Sequence, residues 1–169
     1  DLSEKAAIYG AAVKWGGTWR AHNDFGSVHI ELAKNEEMGS EAQLKLLEAG
    51  ETQLNISLNK EQNIESYLNL ASLSALKYDW DAANEYMKKA EEVGTDRMWM
   101  KNVYNVSMGA LSIAAGNHAE SISYFDKVEG KYRTQAWAHW RKAIAQLVMS
   151  DNEGAKKTLD ALGGLFKEN

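Results

Sequence analysis

The sequence predicts an all-α fold of about nine helices, arranged as antiparallel pairs. Three observations predict it. Apolar residues recur at helical spacing along nearly the whole chain. The 169 residues contain no proline, so nothing of that kind interrupts a helix. One helical phrase is also written several times: Tyr67, Leu70, Ala71, Ala83, Met87 and Ala90 set it out, Met108, Gly109, Ser121, Phe125 and Val128 repeat it, and Ala143, Ala155, Leu159 and Leu162 repeat it again. The counterparts Ala71, Gly109 and Ala143 lie 38 and 34 residues apart (109 − 71 and 143 − 109). A period in that range is the mark of a helical solenoid.

In chain order, Leu2 to Trp15 reads as one amphipathic helix, with Ser3 as its N-cap and Gly16–Gly17 as its stop. Thr18 caps a second helix from Trp19 to Lys34, which carries His22, Phe25, Gly26, His29, Ile30 and Ala33. A charged turn, Asn35–Glu36–Glu37, leads to a third helix with Ala42, Leu46 and Ala49, and residues 54–61 are expected to form the longest connection. Helices over 62–77 and 80–93 are joined at Tyr78–Asp79, those over 98–115 and 118–129 at Gly116–Asn117, and those over 133–149 and 152–162 at Ser150–Asp151. Gly94, Gly130 and Gly163–Gly164 stand where helix C-termini favour a left-handed residue. Small repeat residues allow close helix approach, and larger ones, Leu159 among them, are expected to fill the space between. No linker divides 1–169, which reads as one domain.

Composition narrows the function. Net charge is −5 without a basic cluster, which argues against a nucleic-acid partner, because phosphate recognition needs grouped Lys or Arg. No apolar run is long enough to span a bilayer. Cysteine is absent, which removes disulfides, thiolate nucleophiles and Cys-based zinc sites and is compatible with an oxidising compartment. The first residue is Asp1 rather than Met, so a processed or trimmed product is expected. Phosphate loops, HExxH and G-x-S-x-G motifs are absent, and no catalytic role is expected.

The repeated positions resemble the tetratricopeptide repeat, with its aromatic residue, its Leu-Gly pair and its small-aromatic-small spacing on the second helix. The match covers nearly the whole chain. The pair 62–93 follows it most closely; 98–129 has Asn105 where an aromatic is expected, and 133–162 has the charged Lys142 at a usually apolar position. The pair 18–53 opens in register from Trp19 to Gly26, but its second helix fits only with about four residues inserted. Leu2–Trp15 is similar to the second helix of a repeat whose first is missing. The resemblance implies a right-handed superhelix of antiparallel pairs whose first helices line a concave groove. The tryptophan-arginine opening and the lack of cysteine are also similar to periplasmic or outer-membrane-associated repeat proteins of Gram-negative bacteria.

Under this resemblance the groove is walled by Arg20, Asn23, Asn69 and Ser72, then by Val106, Ile113, Trp137, Trp140, Arg141 and Ile144, and it grades from polar to apolar. Ile30, Leu68 and Leu147 fall at groove positions too. Some members of the family clamp a peptide's terminal carboxylate; Asn69 fits that pattern, but Asn23, Ser27, Val103 and Ser107 occupy the other clamp positions, so no such clamp is expected. The Trp137–Trp140–Ile144–Leu147 surface is expected to accept an apolar or amphipathic helix, unless Leu165–Phe166 caps it or a second copy covers it. His22 and His29, seven residues apart, raise a metal site, but both occupy packing positions of the repeat. The expected function is therefore a non-catalytic adaptor or scaffold holding a protein or peptide, without a cofactor. The alternatives are a structural subunit, self-assembling or docked in a larger complex, and a helical metal- or small-ligand-binding protein.

Overall fold

A computed structural model describes residues 1–94, 98–129 and 133–167. Among the described residues there are nine helices and no strand: α1 (Leu2–Lys14), α2 (Trp19–Ala33), α3 (Glu41–Lys60), α4 (Ile64–Leu76), α5 (Trp80–Val93), α6 (Met98–Ala114), α7 (His118–Phe125), α8 (Arg133–Val148) and α9 (Asn152–Lys167). The chain forms two compact units, Asp1–Gly94 and Thr95–Asn169. None of the described helices is long and apolar enough to cross a membrane.

Short turns and mutual packing make α4–α5, α6–α7 and α8–α9 helical hairpins. Their three turns are built alike. Tyr78, Gly116 and Ser150 each take a left-handed conformation, with φ of 59°, 80° and 64°. The following amide, of Asp79, Asn117 or Asp151, donates to a carbonyl five residues back, at Ser74, Ser112 and Gln146 respectively. These bonds satisfy carbonyls that a helix end would otherwise leave unpaired. Asp79 and Asp151 then accept from the amides of Ala82 and Gly154 and so start the next helix.

In the first unit α1 packs on α2, α2 pairs with α3, and both α2 and α3 touch α4. Ile30, Leu47, Leu54, Leu58, Leu70 and Leu73 form its core. In the second unit α6 and α7 both touch α8, which pairs with α9, and Phe125, Val128 and Ala138 form a smaller core. Helix crossings are tight in both units. A Cβ added at Gly26 would lie 2.7 Å from Leu54 Cγ and 3.0 Å from the Gly50 carbonyl oxygen, and one added at Gly109 would lie 2.5 Å from the Phe125 ring.

Several expectations are corrected. Residues 54–60 are helix, not connection: Leu54, Ser57 and Leu58 carry the buried stripe of Leu47 and Gly50 two further turns, and no glycine or proline stops it. Asp1, not Ser3, caps α1 through the amides of Ser3 and Glu4. α9 runs through Gly163 and Gly164 to Lys167, whereas Gly94 does end α5 with φ 105° and Gly130 lies outside the described residues. α7 stops at Phe125, short of 129, because side chains of α6 take up the chain that follows. Asn102 donates to the Glu129 carbonyl and accepts from its amide, and Asn105 donates to the Lys127 carbonyl. Asn105 thus replaces an aromatic with a hydrogen-bonded polar plug. Lys142, the other departure from the repeat, pairs with Asp126. Ile30 and Leu68 are buried rather than groove-facing, and Leu159 is exposed rather than filling a gap.

The Gly109 crossing yields a direct test. Gly109→Val forces the buried Phe125 ring from its seat and is expected to destabilise the protein by about 2–3 kcal/mol, the range of core overpacking. Chemical denaturation followed by circular dichroism measures it, and a change below about 0.5 kcal/mol would show that the crossing is loose.

Candidate docking face on α8

Helix α8 is turned with its small residues inward. Ala138, Ala143 and Ala145 are buried, and Ala138 packs with Phe125 and Val128. Gln146 is buried beside them, accepting from the Thr158 hydroxyl at 2.8 Å and donating to Asp151. The large apolar residues of the same helix point the other way. Trp137 and Trp140 are each 57% exposed, and Ile144 and Leu147 are exposed beside them. The spacing 137, 140, 144, 147 puts all four on one stripe.

An open cavity of about 620 Å³ lies along that stripe. Trp137, Trp140, Arg141 and Ile144 line it from α8, Ile113 from α6 and Leu162 from α9. A volume of this size is typical of ligand-sized sites, whose lining is mostly apolar with a few placed polar groups. Here the charged group is Arg141. Its guanidinium carbon sits 4.8 Å from the centroid of the Trp137 ring, a cation–π stack. Partial burial lowers its pKa from the ordinary arginine value. No carboxylate pairs with it among the described residues.

The remaining predicted groove residues fall in two other settings. Val106 packs against the Phe125–Val128–Ala138 core, as Ile113 does from the cavity's edge. In the first unit Arg20 is exposed and lies over the Trp19 ring, and the Ser72 hydroxyl donates to the Leu68 carbonyl of its own helix. Asn23 is only 7% exposed and belongs to a buried polar chain. Its Oδ1 accepts from Asn69 Nδ2 at 3.0 Å and lies 3.1 Å from the Ser66 hydroxyl; Ser66 in turn lies 2.9 Å from Ser57, whose hydroxyl donates to the Trp19 carbonyl. Asn23 and Asn69 therefore join α2 to α4, and the chain runs on to α3 through Ser57.

Two cavity residues were not predicted. Ala136 carries no signal that separates it from any exposed alanine. Leu162 falls at a packing position of the repeated phrase, and it lines the cavity from α9. The side chains of Leu165 and Phe166, the expected cap, lie outside the described residues. The histidines sit at packing positions. His22 Nδ1 is 2.9 Å from Gln53 Oε1, and His29 Nδ1 is 2.8 Å from the Phe25 carbonyl while its ring meets Phe25 edge-on. Among the described residues no three His, Cys, Asp or Glu side chains gather to a metal-sized cluster.

Among the described residues, fold and site define an all-helical protein of paired helices with an exposed apolar face on α8. Comparison with protein-family models, curated proteins and solved structures finds no match to it.

The buried polar chain separates Asn23 from its neighbour on the helix surface. Asn23→Ala leaves Asn69 and Ser66 short of an acceptor inside the unit and is expected to cost about 1–3 kcal/mol. Arg20→Ala should stay within about 0.5 kcal/mol. Denaturant titration of both variants compares them, and equal effects would remove Asn23 from its structural role.

Proposed function

We propose that the protein is a non-catalytic interaction module, a tetratricopeptide-like scaffold that docks a helical segment of another protein on the exposed face of α8. The observation that carries this reading is the orientation of α8: alanines inside, two tryptophans, Ile144 and Leu147 outside. Burying large apolar side chains is worth about 1.5–3 kcal/mol each, so a helix whose buried apolar residues are all alanines leaves most of its apolar surface unused within its own unit. Contiguous apolar surface of this kind marks interaction sites. An apolar stripe at helical spacing beside an open cavity fits the helix-in-groove mode of recognition.

The repeat character is supported within each unit separately. The first helix of one pair and the second helix of the same pair both rest on the first helix of the next, α2 and α3 on α4, α6 and α7 on α8. A small residue stands at the matching position of the repeated phrase in each first helix, Gly26, Ala71, Gly109 and Ala143, and all four are buried. A second reading, self-assembly, is favoured by Leu147, Val148 and Met149, which are exposed together at the end of α8. Mass measured by light scattering over a concentration series distinguishes it.

Replacing both Trp137 and Trp140 with Ala tests the proposal. The double variant is expected to melt within a few degrees of the parent, because both rings are more than half exposed, and to lose the partner captured from the native source by the parent protein. A collapse of stability would make the pair core and end the docking reading.

A further inference from the structure

We infer that the helix docked on α8 carries a carboxylate at the edge of its apolar stripe, which pairs with Arg141; this rests on the docking reading above and specifies its partner. Trp137, Trp140, Ile144 and Leu147 run along one face, and the ten steps from 137 to 147 rise about 15 Å, about three turns of a partner helix. Arg141 stands one turn beyond Trp137 and directly after Trp140, at the margin of that face. Its guanidinium stacks on Trp137, so a partner that covers the indole also takes the remaining water from the guanidinium.

That guanidinium has five N–H donors. None of them meets a protein acceptor among the described residues, and the cavity around it is otherwise apolar. Burial already disfavours its charge, and closure by an apolar helix would leave a charged group with neither water nor partner, the arrangement that proteins tolerate least. A carboxylate removes the penalty with two parallel hydrogen bonds in the fork geometry that arginine presents. Arg141 thereby selects against neutral and basic helices that fit the stripe equally well. The whole chain bears a net charge of −5, so it does not draw acidic partners from a distance. The preference comes from one local contact.

A displayed library of amphipathic helices with leucine anchors and randomised flanking positions, selected on the intact chain and counter-selected on the W137A/W140A variant, tests the pairing. The selected helices should be enriched in Asp or Glu at one flanking position within a turn of an anchor. Arg141→Gln in the protein and Glu→Gln in a selected helix should each weaken binding at least tenfold, with no further loss when combined. The substitution in the helix keeps the test valid should Arg141→Gln disturb folding. Helices that depend on Trp137 and Trp140 but show no acidic enrichment and bind the Arg141→Gln variant equally well would overturn the carboxylate pairing and leave the docking face standing. A library yielding no helix that depends on the two tryptophans would overturn the docking reading itself. So would a dimer that the double alanine variant dissociates.

Discussion

Where the two helices of a pair cross, the space between them admits a methyl group or less. Gly109 faces the Phe125 ring with room only for hydrogen, Gly26 and Gly50 bring α2 and α3 together, and Ala71, Ala83, Ala90, Ala143 and Ala155 are fully enclosed. Close approach places many atoms at contact distance and lets backbones lie near one another. It also dictates where large side chains go. In the first unit Leu54, Leu70, Leu73 and Met87 find places inside. On α8 the inward positions are taken by alanines, and the tryptophans have only the outside.

Such crossings tolerate few unsatisfied polar groups, and each unit handles them in its own manner. The first carries hydroxyls and amides across its interior, from the Trp19 carbonyl through Ser57, Ser66 and Asn23 to Asn69. The second uses Asn102 and Asn105 to hold the backbone after α7. These contacts are buried, so every member has to find its partner for the arrangement to be favourable. Asn105, which resemblance to the repeat would make aromatic, is thus structural, whereas Lys142 meets Asp126 in an exposed ion pair.

The helical text of the chain was legible to the extent that local chemistry wrote it. Asp79 and Asp151 after a left-handed residue mark hairpin turns through capping, which acts within a few residues. Trp19, Trp80 and His118 open their helices where the sequence places them. The misplaced ends of α3 and α7 share one cause: a boundary decided by contacts far along the chain. Nothing local shows that Leu54 and Leu58 meet Ile30 and Leu70 and so extend α3, or that Asn102 captures Glu129 and ends α7. At the site the shared face of Trp137, Trp140, Ile144 and Leu147 follows from periodicity alone, while their exposure does not. The sequence does not reveal that Asn23 is interior, since an asparagine at a groove position reads identically whether it faces water or another asparagine. That no carboxylate among the described residues pairs with Arg141 is likewise a property of three-dimensional neighbours.

The account stands or falls on whether the two indoles of α8 are free in the folded chain. Fluorine NMR of protein labelled with 5-fluorotryptophan reads this residue by residue, with Trp→Phe substitutions assigning the signals and the shift between light and heavy water reporting exposure. The resonances of Trp137 and Trp140 are expected to show more than half the solvent isotope shift of the unfolded chain, in keeping with their 57% exposure. Shifts near zero for both would mean that the face is already covered, and would contradict the account.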